Sequence, residues 1–210
     1  MHNEIIIFFL SFIISWYAYL FLIPYFKKLL LDIPNNRSLH SSPIPKGGGL
    51  IFVLNTFVFS TFKVFNHSEK NLETIFLIRI PLCIVGLLDD RFNISSLKRY
   101  GVQILTALLL FSQRTETYII NHSIYSIIAY LLFVIGITAI INFVNFMDGI
   151  DGLIGGCFLV ILFFIGIIFS FPIPIIILIG SLLSFCTWNW SPAKIFMGDV
   201  GSTFLGAIYC

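Results

Sequence analysis

Five aspartates at three places carry the most pointed chemistry in this sequence: Asp89 and Asp90, Asp148 and Asp151, and Asp199. Each place lies where a long apolar run stops or starts. In Gly86-Leu-Leu-Asp-Asp-Arg-Phe-Asn93, two adjacent carboxylates end such a run. Burying them near lipid is costly unless a cation compensates, and like charges this close resist double ionisation. Mg²⁺ or a neighbouring Lys or Arg relieves both costs; a polar helix stop facing water is the alternative. In Asn142-Phe-Val-Asn-Phe-Met-Asp-Gly-Ile-Asp-Gly-Leu153, Asp148 and Asp151 stand three apart. If the segment is helical, both carboxylates and Asn145 share one face. Oxygen ligands on one face suit Mg²⁺ and a diphosphate, while an EF-hand is excluded by the short loop and the missing terminal Glu. Asp199, between Gly198 and Gly201, either caps a new helix or binds a metal at its mouth.

A fourth segment supplies cations. Leu31-Asp-Ile-Pro-Asn-Asn-Arg-Ser-Leu-His-Ser-Ser-Pro-Ile-Pro-Lys-Gly-Gly-Gly49 brings Arg37, His40 and Lys46 beside three consecutive glycines. Glycine lets backbone N–H groups approach an anion closely, and cationic donors suit a phosphate. The segment is not a Walker A loop, because the Gly-Lys-Ser/Thr ending is missing. A flexible, positively charged connection would also account for it.

The elements that must position these groups are apolar helices. The chain has 210 residues, of which 58% are hydrophobic and 10% charged, with mean hydropathy +1.00. A soluble domain carries about 25% charged residues, so lipid is the expected solvent. Eight spans are expected, at about 4–26, 48–65, 74–90, 99–114, 124–142, 153–170, 173–190 and from 201 onward. The third and fourth are short. The eighth holds roughly ten residues, about 15 Å of helix, and is expected to be truncated. The first run has no basic segment before it and no small-x-small cleavage site, so it reads as a retained helix rather than a signal peptide. No second domain is visible: residues 1–210 read as one membrane domain.

Charge supports an orientation. With the amino terminus outside, the inner loops and flanks hold Lys27, Lys28, Arg37, Lys46, Arg91, Lys98, Arg99 and Lys194, against Lys63, Lys70 and Arg114 outside. All five aspartates then lie on the inner side. Arg79 lies about one turn inside its span and reads as a snorkelling residue near Glu73. The four cysteines, Cys83, Cys157, Cys186 and Cys210, have no metal or redox spacing and read as small buried hydrophobes. Trp188 and Trp190 fit an interfacial aromatic belt. A net charge of +2 and the lack of a Lys/Arg block argue against a nucleic-acid partner.

Taken in order, Pro-x-Pro-Lys-Gly-Gly-Gly, Leu-Asp-Asp-Arg, Asn-Phe-Met-Asp-Gly-Ile-Asp-Gly and Phe-Met-Gly-Asp-x-Gly-Ser resemble the polyprenyl-phosphate N-acetylhexosamine-1-phosphate transferases, and the match runs through the whole chain. The run Trp188-Asn-Trp-Ser-Pro-Ala-Lys-Ile-Phe-Met-Gly-Asp resembles the O-antigen-initiating branch, which uses UDP-GlcNAc or a UDP-6-deoxy-HexNAc. The resemblance implies an all-α bundle of roughly ten transmembrane helices in the bacterial inner membrane, with the site facing the cytoplasm. It implies Mg²⁺ (or Mn²⁺) as cofactor, and UDP-N-acetylhexosamine, undecaprenyl phosphate and the bilayer as partners. Asp199 matches the family's magnesium-binding aspartate. Asp89 and Asp90 match its paired aspartates, and Asn145, Asp148 and Asp151 the segment near the nucleotide and diphosphate. Lys46 matches a basic position of the first loop. Two departures stand out: Asn93 replaces a third carboxylate of several members, and the family's His- and basic-rich loop is missing, which puts activity of this chain in doubt. A non-enzymatic cation transporter, a lipid-binding subunit and an inactive transferase fragment are the competing readings. The amino sugar, the polysaccharide pathway and the oligomeric state, a homodimer included, are not legible.

Overall fold

The computed structural model describes residues 2–34, 40–64, 77–112 and 124–210. Among them are eight helices: α1 (His2–Leu29), α2 (Gly49–Val64), α3 (Ile80–Phe92), α4 (Ser96–Ser112), α5 (Ile124–Met147), α6 (Leu153–Ile168), α7 (Ile173–Asn189) and α8 (Gly198–Tyr209). One short antiparallel pair, β1 (Leu31–Asp32) and β2 (Ile44–Pro45), closes the loop after α1, with Leu31 opposite Pro45 and Asp32 opposite Ile44. Each of the eight expected apolar runs thus overlaps one of these helices.

Local chemistry sets the helix ends. Pro81 opens α3, where its missing N–H costs no bond. Asn93 closes α3 in the left-handed region at φ 49°, its N–H returning to the Asp89 carbonyl. Gly152, at φ 73°, turns the chain into α6.

Two helices form the centre. α7 packs against α1, α2 and α6, and α8 against α2, α3 and α5. In α8, Gly198 and every residue from Val200 to Ala207 are buried. Such a helix is covered on all sides, and its small residues let neighbours come close. A Cβ on Gly86 of α3 would lie 2.7 Å from the backbone N and Cα of Val200, so α3 and α8 touch backbone to backbone there. Gly49 of α2 and Gly201 of α8 meet in the same way.

The outer helices turn large apolar side chains outward: Phe21 on α1 is 66% exposed, and Leu132 on α5 63%. Two helices, spanning Asn3–Leu29 and Ile127–Met147, are long and apolar enough to cross a membrane. Only 17% of each window is buried, the opposite of a soluble core helix. Asn55 shows how a buried polar group is paired here. The Asn55 side-chain amide donates to the Ser11 carbonyl and to the hydroxyls of Ser15 and Ser181, joining α1, α2 and α7.

Two expectations change. Arg79 is not snorkelling: it is 3% exposed and donates through Nε and Nη2 to the Ala207 carbonyl of α8, because a buried guanidinium is cheapest on an acceptor. Glu73 lies outside the described residues. Cys157 is exposed rather than buried, on the outward side of α6; Cys83 and Cys186 are buried, and all four thiols are free.

Candidate functional site

The residues with chemistry gather at one end of the bundle. Asp90 comes from the last turn of α3, Asp148 and Asp151 from the α5–α6 turn, Asp199 from the first turn of α8, and Lys46 from the residues just before α2. With His40, Asn145 and Asn189 they line a cavity of about 450 Å³. Asp89 is not among the lining residues. Arg37 lies outside the described residues.

Two loops form the floor by pairing backbones. Phe196 N–H donates to the Pro45 carbonyl at 2.8 Å; Gly48 and Gly49 N–H donate to the Phe196 and Met197 carbonyls at 2.9 and 2.8 Å. The first and last motifs, far apart in sequence, thereby become one surface.

Asp90 has a structural task as well. Its carboxylate accepts the N–H groups of Asp199 and Val200 at 3.1 and 3.5 Å, at the positive end of α8. Gly198 has φ 75°, and a Cβ there would lie 2.5 Å from Asp90 Oδ2. Glycine is therefore required on two counts. The expectation that Asp199 could cap its own helix is corrected: Asp199 lies inside the first turn, and the cap comes from Asp90 on another helix.

The shared helical face expected for Asp148 and Asp151 is also corrected. α5 ends at Met147, and residues 148–152 form turns, because Gly149 and Gly152 favour leaving the helix. Both aspartates still reach the cavity. Asp151 accepts the Ala193 N–H at 3.1 Å, and Asn189 accepts the Gly152 N–H and donates to the Ile195 carbonyl, so this turn and the 191–197 loop hold each other. Asn145 accepts a 2.6 Å bond from the Ser202 hydroxyl.

Two charged residues of the site were not singled out by spacing. Asp32, on β1, binds Lys46 Nζ at 2.9 Å and lies 3.6 Å from His40 Nε2. Arg99, on α4, reaches Asp89 at 2.8 Å and Asp199 at 3.2 Å through one nitrogen. The short α3–α4 turn was the available signal for Arg99, since it returns α4 to the end where Asp89 lies.

The electrostatics follow. Burial pushes the Asp199 carboxyl up to about 7, aided by a contact with the Asp89 carboxyl and the charges of Asp90 and Asp89, and opposed by Arg99. Burial also pushes Asp148 well above the usual carboxylate range, with Asp199 and Asp90 adding to it and Lys46 opposing. Burial alone would lower the Lys46 ammonium, but Asp32, Asp90 and Asp199 outweigh it, so Lys46 is held above its ordinary value and stays charged. The cavity lining is therefore crowded with carboxylates, and Lys46 stays charged among them. Among the described residues, no three His, Cys, Asp or Glu side chains gather closely enough to make a protein-only metal cage.

The site is thus an acidic cavity of about 450 Å³, with Lys46 in its lining, at one end of a bundle whose outer helices present apolar side chains. The family model for glycosyl transferase family 4 matches residues 72–210, and the chain belongs to that family. It is 32% identical over 211 residues to the undecaprenyl-phosphate alpha-N-acetylglucosaminyl 1-phosphate transferase of Thermotoga maritima, covering 99% of this chain and 62% of that protein. It is 28% identical over 213 residues to the probable undecaprenyl-phosphate N-acetylglucosaminyl 1-phosphate transferase of Bacillus subtilis, covering 93% and 59%. It is 31% identical over 184 residues to the phospho-N-acetylmuramoyl-pentapeptide-transferase of Dictyoglomus thermophilum, covering 79% and 57%. The chain thus spans about three fifths of the length of these relatives.

Proposed function

We propose that the protein transfers a sugar 1-phosphate from a UDP-sugar to undecaprenyl phosphate, at the cytoplasmic face of a bacterial inner membrane. The observation that carries this reading is the meeting of Asp90, Asp148 and Asp199 with Lys46 in one cavity, at the end of a bundle whose outside is apolar. The names of the relatives agree with it. An oxygen of the lipid phosphate attacks the phosphorus that bears the sugar. The bond from that phosphorus to the bridging oxygen breaks, and UMP leaves with the electron pair. Positioning and charge neutralisation supply most of the rate in such reactions.

The chain's own residues divide the work. Lys46 holds an anionic phosphate oxygen. Asp90, at the end of α3 and held by the N–H groups of Asp199 and Val200, orients the acceptor; it has little proton to remove, since a phosphate monoester is largely ionised near neutral pH. Asn145 and the 148–152 turn face the nucleotide diphosphate. The all-oxygen donors and excess negative charge fit Mg²⁺, which takes only one or two carboxylates and completes its shell with water and substrate phosphates. A cage of three protein ligands is therefore not required. Asp199 and Asp148 would hold the ion, which neutralises charge on the diphosphate when bound. UDP-GlcNAc or a UDP-6-deoxy-HexNAc as donor, and initiation of O-antigen synthesis, are the finer parts of the proposal. A cation transporter would keep ionisable groups at mid-helix, whereas these carboxylates lie at helix ends.

The test is transfer of label from a UDP-[¹⁴C]-amino sugar into lipid extract, by membranes carrying the protein, with added undecaprenyl phosphate and Mg²⁺. Label in lipid with equimolar UMP is expected. No labelled lipid with either donor class removes the proposal. The pH profile is a companion prediction. Burial raises the Asp199 carboxyl and a bound cation favours its ionised form, so transfer is expected to fall as pH drops, and to fall at higher pH when Mg²⁺ is limiting than when it is saturating. A rate flat from pH 5.5 to 8.5 at limiting Mg²⁺ would show that protonation of Asp199 does not control transfer.

A further inference from the structure

Gln103 is 3% exposed, deep in α4, and touches none of the cavity residues by hydrogen bond. Its side-chain amide is matched to that of Asn142 on α5. Gln103 Nε2 donates to Asn142 Oδ1 at 3.2 Å, and Asn142 Nδ2 donates back to Gln103 Oε1 at 2.7 Å and to the Thr138 carbonyl at 2.8 Å. Each amide thus uses a donor and an acceptor on the other. Among apolar helices, a shift that broke this pair would leave polar groups unsatisfied.

The pair belongs to a closed circuit. Gln103 lies four residues after Arg99, hence one turn along the same face of α4. Asn142 lies three residues before Asn145 on α5, and Asn145 accepts from Ser202 on α8. Ser202 lies three residues after Asp199, and Asp199 meets Arg99. The polar contacts therefore run from α4 to α5 to α8 and back to α4. Arg99 needs such support. Its side chain is 35% exposed, against 11% for Asp89, so burial does not hold it on the carboxylates. Only the placement of α4 brings it there.

We infer that Gln103 and Asn142 are positioning residues whose reciprocal amide pair sets α4 so that Arg99 bridges Asp89 and Asp199. The kinetic part of this inference rests on the transferase reading; the structural coupling does not.

The experiment uses Gln103→Leu, Asn142→Leu and the exchange Gln103→Asn with Asn142→Gln, which restores a donor and an acceptor on each side. In Gln103→Leu, kcat is expected to fall about tenfold with KM for both substrates unchanged, the rate equivalent of one lost buried hydrogen-bonded contact. The exchange recovers most of it. Thermal melting in detergent supplies a readout that needs no activity. Arg99→Met lowers the midpoint in the native background and adds nothing further in Gln103→Leu. Additive losses in that cycle, or native kcat in Gln103→Leu, overturn the inference. If Gln103→Leu fails to insert, the exchange variant decides: Arg99→Met must lower its midpoint as in the native protein, and no effect there overturns the inference. A native protein that transfers no sugar removes the transferase reading and leaves the melting cycle to judge this one.

Discussion

Asp199→Asn is expected to lower sugar-phosphate transfer by at least about a hundredfold, with the protein still inserted and folded, the loss typical when one preorganised charge-stabilising group is removed from an active site. The fold does not depend on the Asp199 carboxylate. Its backbone N–H bonds Asp90 and its carbonyl accepts the Thr203 hydroxyl, and both survive the change. Arg99 keeps Asp89 at 2.8 Å. Asparagine has the same shape, so what disappears is a negative charge where the diphosphate is to be neutralised. The measurement is labelled lipid formed per unit of folded protein, with the detergent melting curve taken alongside. Native rates in Asp199→Asn would remove its cation-holding role.

The second large effect acts through the fold. In Gly86→Ala the new methyl meets the backbone N and Cα of Val200 at 2.7 Å and the backbone carbon of Asp199 at 2.8 Å. Backbone atoms cannot rotate aside, so α3 and α8 must part. Overpacking costs roughly 1–3 kcal/mol, and contacts of this rigid kind belong at the upper end. Separation also lifts Asp90 from the N–H groups of Asp199 and Val200, so activity is lost beyond what stability alone requires. Gly101→Ala is the control: nothing lies within 4 Å of a Cβ there, and alanine favours a helix by up to about 1 kcal/mol. Gly86→Ala is expected to melt well below the native protein and Gly101→Ala at or above it. Equal melting points would show that the α3–α8 contact yields.

Helix placement was legible in this sequence because lipid-length apolar runs leave little choice of structure. The expected 124–142 run falls within α5, and the expected 48–65 run nearly coincides with α2. That the aspartates gather at one end of the bundle was legible for a related reason: aspartates are rare in apolar runs and stand out. What each aspartate touches was not legible. Asp90 caps a helix more than a hundred residues away, and no local pattern announces a cap supplied from another helix. Asp148 and Asp151 needed a judgement on whether two glycines would end α5, and the glycines prevailed over the i, i+3 spacing. Arg99 was counted only as one of the inner positive charges. Its pairing follows from how α4 packs, which is tertiary information. Asp32 was hidden likewise, since its partner Lys46 comes to it through a two-residue strand pair.

The backbone bonds between residues 45–49 and 196–197 also bear on the order in which the molecule is made. The earlier stretch leaves the ribosome about 150 residues ahead of its partner, a wait on the order of ten seconds at ordinary translation rates. Membrane helices can insert singly and associate afterwards. The first helices are thus in the bilayer while the amides of Gly48 and Gly49 still face water, and the mouth of the bundle closes only when α8 arrives. Until then the growing chain is anchored but open at its working end, which makes that end the place where quality-control proteases would find it.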